Sequence, residues 1–124
     1  MIKISSILSW RKEKQAAKSQ SNDVARFIIA ETKAGRPCWI RKIAVHADKI
    51  GHDGLSQIST ASARVNYLRK NGAFIDGQQY VIHELDLMRK CPYSNRLVEH
   101  FCMVLESEHK RIQQAKVDRA ITGD

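Results

Sequence analysis

Residues 59–84 read STASARVNYLRKNGAFIDGQQYVIHE, and their order decides the fold. At about 100° per residue, Ala61, Val65 and Leu68 gather on one side of a helix. Ser59, Thr60, Ala63, Asn66, Tyr67 and Lys70 fall opposite, with Arg64 and Arg69 on the flanks. Asn71-Gly72 stops the helix, because glycine takes a left-handed backbone turn without a Cβ clash. Phe74-Ile75, Asp76-Gly77 and Tyr80-Val81-Ile82 then read as two strands joined by a tight turn. The order is therefore helix, stop, hairpin.

Upstream, Ile50-Gly51-His52-Asp53-Gly54 is a turn by composition. Leu55 and Ile58 are apolar plugs behind it, and Ser59 or Thr60 is a cap for the helix ending at Asn71. Arg41 to Lys49 reads as a preceding helix with Ile40, Ile43, Ala44 and Ala47 inward. Before it, Ser21-Asn22-Asp23 are N-cap residue types, followed by Val24, Phe27 and Ile28 at helical spacing. That first helix reaches about Ala34, where Gly35 and Pro37 end it.

Downstream, 85–93 reads as a connector, with 85–90 open to being part of a third strand or a helical turn, broken at Pro92, with Ser94 as a cap. Residues 94–120 read as one long helix, in which Val98, Phe101, Leu105 and Ile112 recur at steps of three and four or their sum. Such a helix is too long for a small domain to cover, so it pairs with a second copy or lies across the domain. The expected organisation is a basic N-terminal arm (1–21), a domain of three helices and a hairpin (22–84), the connector, the dimerisation helix and a fraying tail (121–124).

Composition restricts the partners. The chain has 124 residues, a net charge of +8, 43% hydrophobic and only 6% aromatic residues, with a pI of about 9.7. One small aliphatic core follows. The excess charge favours a nucleic-acid backbone over an acidic protein or an anionic membrane. Lys3, Arg11, Lys12, Lys14 and Lys18 face Glu13 alone in the first twenty residues, so the arm is either a solvated segment or a phosphate-binding one. Three widely spaced cysteines, Cys38, Cys91 and Cys102, make no disulfide framework and suit a cytoplasmic location. No apolar run reaches the roughly 18 residues of a membrane span.

The residues Ser62, Ala63, Arg64, Val65, Leu68, Arg69, Gly72 and Ile75 carry a resemblance. Over about 22–84 the chain resembles the small winged helix-turn-helix domains common in phage and prophage genomes. In those domains the third helix reads Ser-Ala-Arg, an aliphatic residue, two variable residues, Leu-Arg, two more, then Gly, with an apolar residue and a hairpin behind. The resemblance implies a mainly α fold with a small β-hairpin as wing, and a one- to three-residue strand at Cys38–Ile40 pairing with that hairpin. It also implies DNA binding, often in regulation or excision of mobile elements.

A helix that reads DNA needs an apolar face to hold it and short polar or basic residues to reach base edges. Asn66 suits adenine. Arg64 suits guanine or a phosphate, or alternatively an ion pair with Asp48 or Asp53. Thr60 and Ala63 permit close approach, and Tyr67 either meets a phosphate or tucks under the wing. Arg69 and Lys70, with Arg41 and Lys42 at the start of the second helix, are phosphate ligands in this reading, and Arg11, Lys12 and Lys14 add affinity. The hairpin tip, Asp76-Gly77-Gln78-Gln79, has no cation, which argues against a strong wing contact.

Cys91, His100, Cys102 and His109 lack zinc-ligand spacing, so no metal and no cofactor are expected. The chain has no Gly-rich phosphate loop, no Gly-x-Ser-x-Gly and no His-Glu-x-x-His, so it does not read as an enzyme. The leading expectation is a dimeric protein on double-stranded DNA, a phage or mobile-element transcription regulator or architectural factor. The alternatives are a module that binds and modulates a host protein, and a replication or packaging accessory factor.

Overall fold

The computed structural model describes the backbone of residues 4–52 and 54–122, and their side chains except those of 4–17, 87 and 122. The elements run α1 (Ile4–Lys33), α2 (Ile40–Lys49), α3 (Ile58–Asn71), β1 (Ala73–Ile75), β2 (Gln78–Lys90), β3 (Leu97–Leu105) and α4 (Glu106–Thr122). The architecture is mixed α/β, with more sheet than the expected hairpin alone.

α1 is one helix of 30 residues. The expected start at Ser21-Asn22-Asp23 is corrected: the helix passes straight through. No glycine or proline lies between Ile4 and Lys33, and cap-type residues are only mildly unfavourable inside a helix. Ser21 points inward with Val24, Ala25 and Ile28, all buried. Burial of that stripe outweighs local capping preference, so the segment read as a separate arm is continuous with α1. The side chains of Arg11, Lys12 and Lys14 lie outside the described residues.

α2 and α3 follow the expected apolar faces. Ile43, Ala44 and Ala47 of α2 and Ala61, Val65 and Leu68 of α3 are buried against α1 and the sheet. Between them, Leu55 is a buried plug, but Ile58 is 39% exposed at the first position of α3 and is not. Gly72 ends α3 at φ +65°, and its N–H donates to Leu68 O at 2.7 Å. The Asp76-Gly77 turn, with both residues at positive φ, joins β1 to β2 as expected.

The sequence reading fails beyond Glu84. β2 does not give way to a connector; it runs on to Lys90, through an irregularity between Glu84 and Met88 where Asp86 takes φ +51°. β3 pairs antiparallel with it, from Tyr80 opposite Leu105 to Lys90 opposite Leu97. Residues 97–105 are therefore strand, and the expected helix over 94–120 is corrected to α4 alone. The reason is that LVEHFCMVL satisfies two periods. Val98, Phe101 and Leu105 have helical spacing, while Phe101 and Met103 alternate with half-buried Cys102 at strand spacing. Partners distant in sequence arbitrate. β2 offers a hydrogen-bonding edge, and Cys38 forms an isolated bridge with Phe101 on the other side. The dimerisation seam thus dissolves: Phe101 is 1% exposed in the domain core, Val98 and Leu105 are half-buried on β3, and only Ile112 is on a helix. Cys38 is the expected short strand, but it pairs with the second hairpin and not the first.

Candidate nucleic-acid interface

The exposed side of α3 divides into two flanks. Thr60, Arg64 and Tyr67 recur at helical spacing on one flank, from which Arg64 reaches α1. All three are half-buried, Tyr67 packs on the core, and Arg64 Nε donates to Gln20 Oε1 at 3.0 Å. Arg64 therefore braces α3 against α1, a partner that neither the DNA nor the ion-pair expectation named. Ala63 and Lys70 are exposed. On the other flank, Arg69 Nε donates to Glu84 Oε1 at 2.7 Å and its Nη1 to Asn66 Oδ1 at 2.9 Å, with the guanidinium 5.4 Å above the Phe101 ring. Asn66 thus orients Arg69.

The two cations at the start of α2 diverge. Arg41 is exposed. Lys42 folds back: its Nζ donates to Pro37 O at 2.9 Å, lies 3.5 Å from Glu31 Oε1, and sits 5.2 Å from the Trp39 ring centre. Burial pushes the Glu31 carboxyl upward, but the Arg36 hydrogen bond and the Lys42 and Arg36 charges outweigh it and hold it below the ordinary range. Lys42 is thus committed to the interior of the domain.

The first hairpin leans away from this surface, and Asp76 at its tip lies 3.7 Å from Arg26 of α1. The hairpin facing α3 is β2–β3. Between it, α3 and the start of α2 lies a groove of about 740 Å³, lined among others by Arg41, Ile58, Ser62, Arg69, Arg96 and Leu97. Arg41, Arg69 and Arg96 come from three separate elements and converge on one concavity. Glu99 is the acidic member of its lining.

The tip of this hairpin is closely built. Cys91 N–H donates to Arg96 O and Asn95 N–H to Cys91 O, each at 2.8 Å, with Asn95 at φ +62°. Cys91 is fully buried. Burial opposes ionisation of its thiol, yet hydrogen bonds from the Ser94 side chain and backbone and from the Tyr93 backbone bring it below the ordinary thiol value. The Trp39 indole N–H faces the same sulfur without meeting hydrogen-bond geometry, and is otherwise unpartnered. Trp39 also lies against His100, ring centres 4.8 Å apart, and so seats the hairpin on the start of α2.

Comparison with protein-family models, curated proteins and solved structures finds no match.

α4 is tied to β2 by the His83–His109 pair, Nδ1 to Nδ1 at 3.3 Å, and by Lys116 Nζ at 3.1 Å from Asp86 Oδ2. Among the described residues, no three His, Cys, Asp or Glu side chains gather as a metal site. None of the described helices is long and apolar enough to cross a membrane.

Sequence reasoning missed Arg89, Lys90 and Arg96. Their signal was present: Cys91-Pro92-Tyr93-Ser94-Asn95 is a turn-rich cluster between two apolar-containing runs, with cations on both shoulders. The helical spacing of Val98, Phe101 and Leu105 concealed it.

Proposed function

We propose that the protein binds double-stranded DNA through a winged-helix surface made by α3, the start of α2 and the β2–β3 hairpin. The convergence of Arg41 and Arg96 on one groove, which the Glu84-paired Arg69 also lines, carries this reading. The order α1, Cys38 bridge, α2, α3, β2, β3 supports it, since Cys38 pairs with β3 and β3 with β2. In this version the wing is β2–β3, and the β1–β2 turn expected to play that role is an additional hairpin against α1. The residues offered to DNA shift accordingly. Ala63, Asn66, Arg69 and Lys70 of α3, with Arg41, face it. Thr60, Arg64 and Tyr67 hold the helix in place, and Lys42 holds Glu31.

A phage or mobile-element regulator or architectural factor, acting in the cytoplasm of the host cell, fits the net charge of +8 and the resemblance of α3. The test is titration of the full chain against duplex DNA at two salt concentrations. Binding that weakens steeply with salt is expected. Arg41→Ala and Arg96→Ala should each lower the salt slope by about one. Salt-independent binding, or none, refutes the reading.

A second reading, a module that binds a host protein, is favoured by one observation. A separate, largely apolar groove of about 600 Å³ lies between α1 and α2, lined by Val24, Phe27, Ile43, Ile50 and Leu55. Ile50 beside it is 65% exposed. Capture of a partner that survives nuclease and is lost in Ile50→Glu would support that reading. A replication or packaging accessory role joins both surfaces. Homodimerisation through α4 would use Val117 and Ile121, which are 50% and 78% exposed.

A further inference from the structure

The β2–β3 hairpin carries more than charge. Lys90 stands on one shoulder of its tip and Arg96 on the other, while Pro92 and Tyr93 occupy the tip itself; Arg89, one residue back on β2, lines a hollow with Thr32, Arg36 and Cys102. Tyr93 is 53% exposed. An aromatic ring and a proline at a tip flanked by cations suit a partner with both apolar and anionic parts. Duplex DNA has both: stacked bases inside and phosphates outside.

Rigidity is the second observation. The Cys91–Arg96 and Asn95–Cys91 hydrogen bonds close the turn, the buried Cys91 fills it, and Trp39 lies behind it. A loop that yields on contact cannot pry stacked base pairs apart. A closed turn backed by an indole can deliver its side chains with little further loss of freedom. Pro92 adds to this, since its ring fixes φ and has no χ freedom to lose.

Proteins that insert apolar side chains between base steps kink the duplex by 20–90°. We propose that the β2–β3 hairpin is a DNA-kinking wedge, in which Tyr93, supported by Pro92, enters a base step while Lys90 and Arg96 hold the phosphates on either side. The inference rests on the DNA-binding reading and adds an activity to it: deformation of the duplex. Flexible pyrimidine–purine steps are the preferred points of entry, because they unstack most cheaply. Leu97, although 66% exposed, is held in the ladder by its pairing with Lys90 just below the tip and turns into the groove, so it is not the wedge.

The experiment uses the full chain and a duplex of about 30 base pairs with a central TA step, dye-labelled at both ends. Anisotropy reads binding, and energy transfer between the dyes reads bending. The wild-type protein is expected to raise energy transfer on binding. Tyr93→Ser, a change at an exposed position whose folding circular dichroism verifies, is expected to keep affinity within about threefold and to lose the bend, since the cations supply affinity. Phe74→Ser, at a 68% exposed apolar residue of β1 outside the groove lining, is expected to keep the bend. A second duplex with a two-base mismatch at the centre is already unstacked. Wild type should prefer it by about tenfold, and Tyr93→Ser should show no preference. Binding without bending, or a Tyr93→Ser complex as bent as wild type, overturns the wedge and leaves DNA binding standing. No binding to either duplex at low salt overturns both.

Discussion

Cys38 and Phe101 exchange two backbone hydrogen bonds, each donating its N–H to the other's carbonyl oxygen at 2.9 Å. This one bridge ties the link between α1 and α2 to β3, and both residues are buried, at 0% and 1% exposure. Burial pushes the Cys38 thiol up to about 12, so it behaves as a small apolar residue. The bridge also fixes which hairpin stands beside α3, and with it the position of Arg96.

Phe101→Ala is expected to unfold the domain more easily, by roughly 3–5 kcal/mol, because a buried aromatic leaves a cavity that neighbours fill only incompletely. Chemical denaturation measures it. A variant of unchanged stability but altered self-association would restore the helical-seam interpretation that the strand assignment replaces.

Lys42 and Arg41 are neighbours with opposite expected behaviour. Lys42→Ala should cost stability, about 1 kcal/mol through the lost Pro37 and Glu31 contacts, and leave DNA affinity nearly unchanged. Arg41→Ala should leave the melting temperature unchanged and weaken DNA binding. Thermal melts and DNA titrations on the two variants separate the roles, and a strong affinity loss in Lys42→Ala would contradict the assignment.

Two glycines at positive φ distinguish strain from collision. At Gly35, φ +77°, an added Cβ meets nothing within 4 Å, so Gly35→Ala should cost only the left-handed penalty of about 1–2 kcal/mol. At Gly72, φ +65°, the Cβ would lie 2.5 Å from Tyr80 O, a backbone atom of β2. Gly72→Ala must move the sheet or the end of α3 and should lower the melting temperature well beyond Gly35→Ala. Equal shifts would show that the sheet gives way freely.

The attachment of α4 should depend on pH. Burial, then the positive charges of His109 and Lys116, lower the His83 pKa from 6.5 against the pull of Asp86 and Glu84. The unfolded chain therefore binds a proton here more readily than the folded one. The stabilisation is complete above the ordinary histidine value and is lost as pH falls below it. Two protonated rings would also place donor against donor across the 3.3 Å contact. Amide exchange in α4, corrected for its intrinsic rate, should accelerate from about pH 7.5 to about pH 5.5. His109→Gln should flatten that dependence, and a wild-type α4 indifferent to pH would refute it.

Local chemistry made α2, α3, the Gly72 stop and the Asp76-Gly77 turn legible, because each is decided within a few residues by apolar spacing or by a backbone conformation that glycine permits. The same local reasoning misplaced the start of α1. Ser21, Asn22 and Asp23 are good caps, yet nothing there breaks a helix whose inner stripe is being buried.

Two matters were left to the tertiary structure. Residues 97–105 carry helical and strand periods together, and only β2 on one side and Cys38 on the other select the strand. The destination of each cation was equally open. Composition states how many positive side chains exist, while Glu31, Glu84 and Gln20, distant in sequence from Lys42, Arg69 and Arg64, determine which are engaged. Sequence alone determined a basic chain with a helix, a glycine stop and a hairpin. Folding decided which hairpin stands beside that helix, because strand pairing is a contest between remote edges that no local pattern can settle.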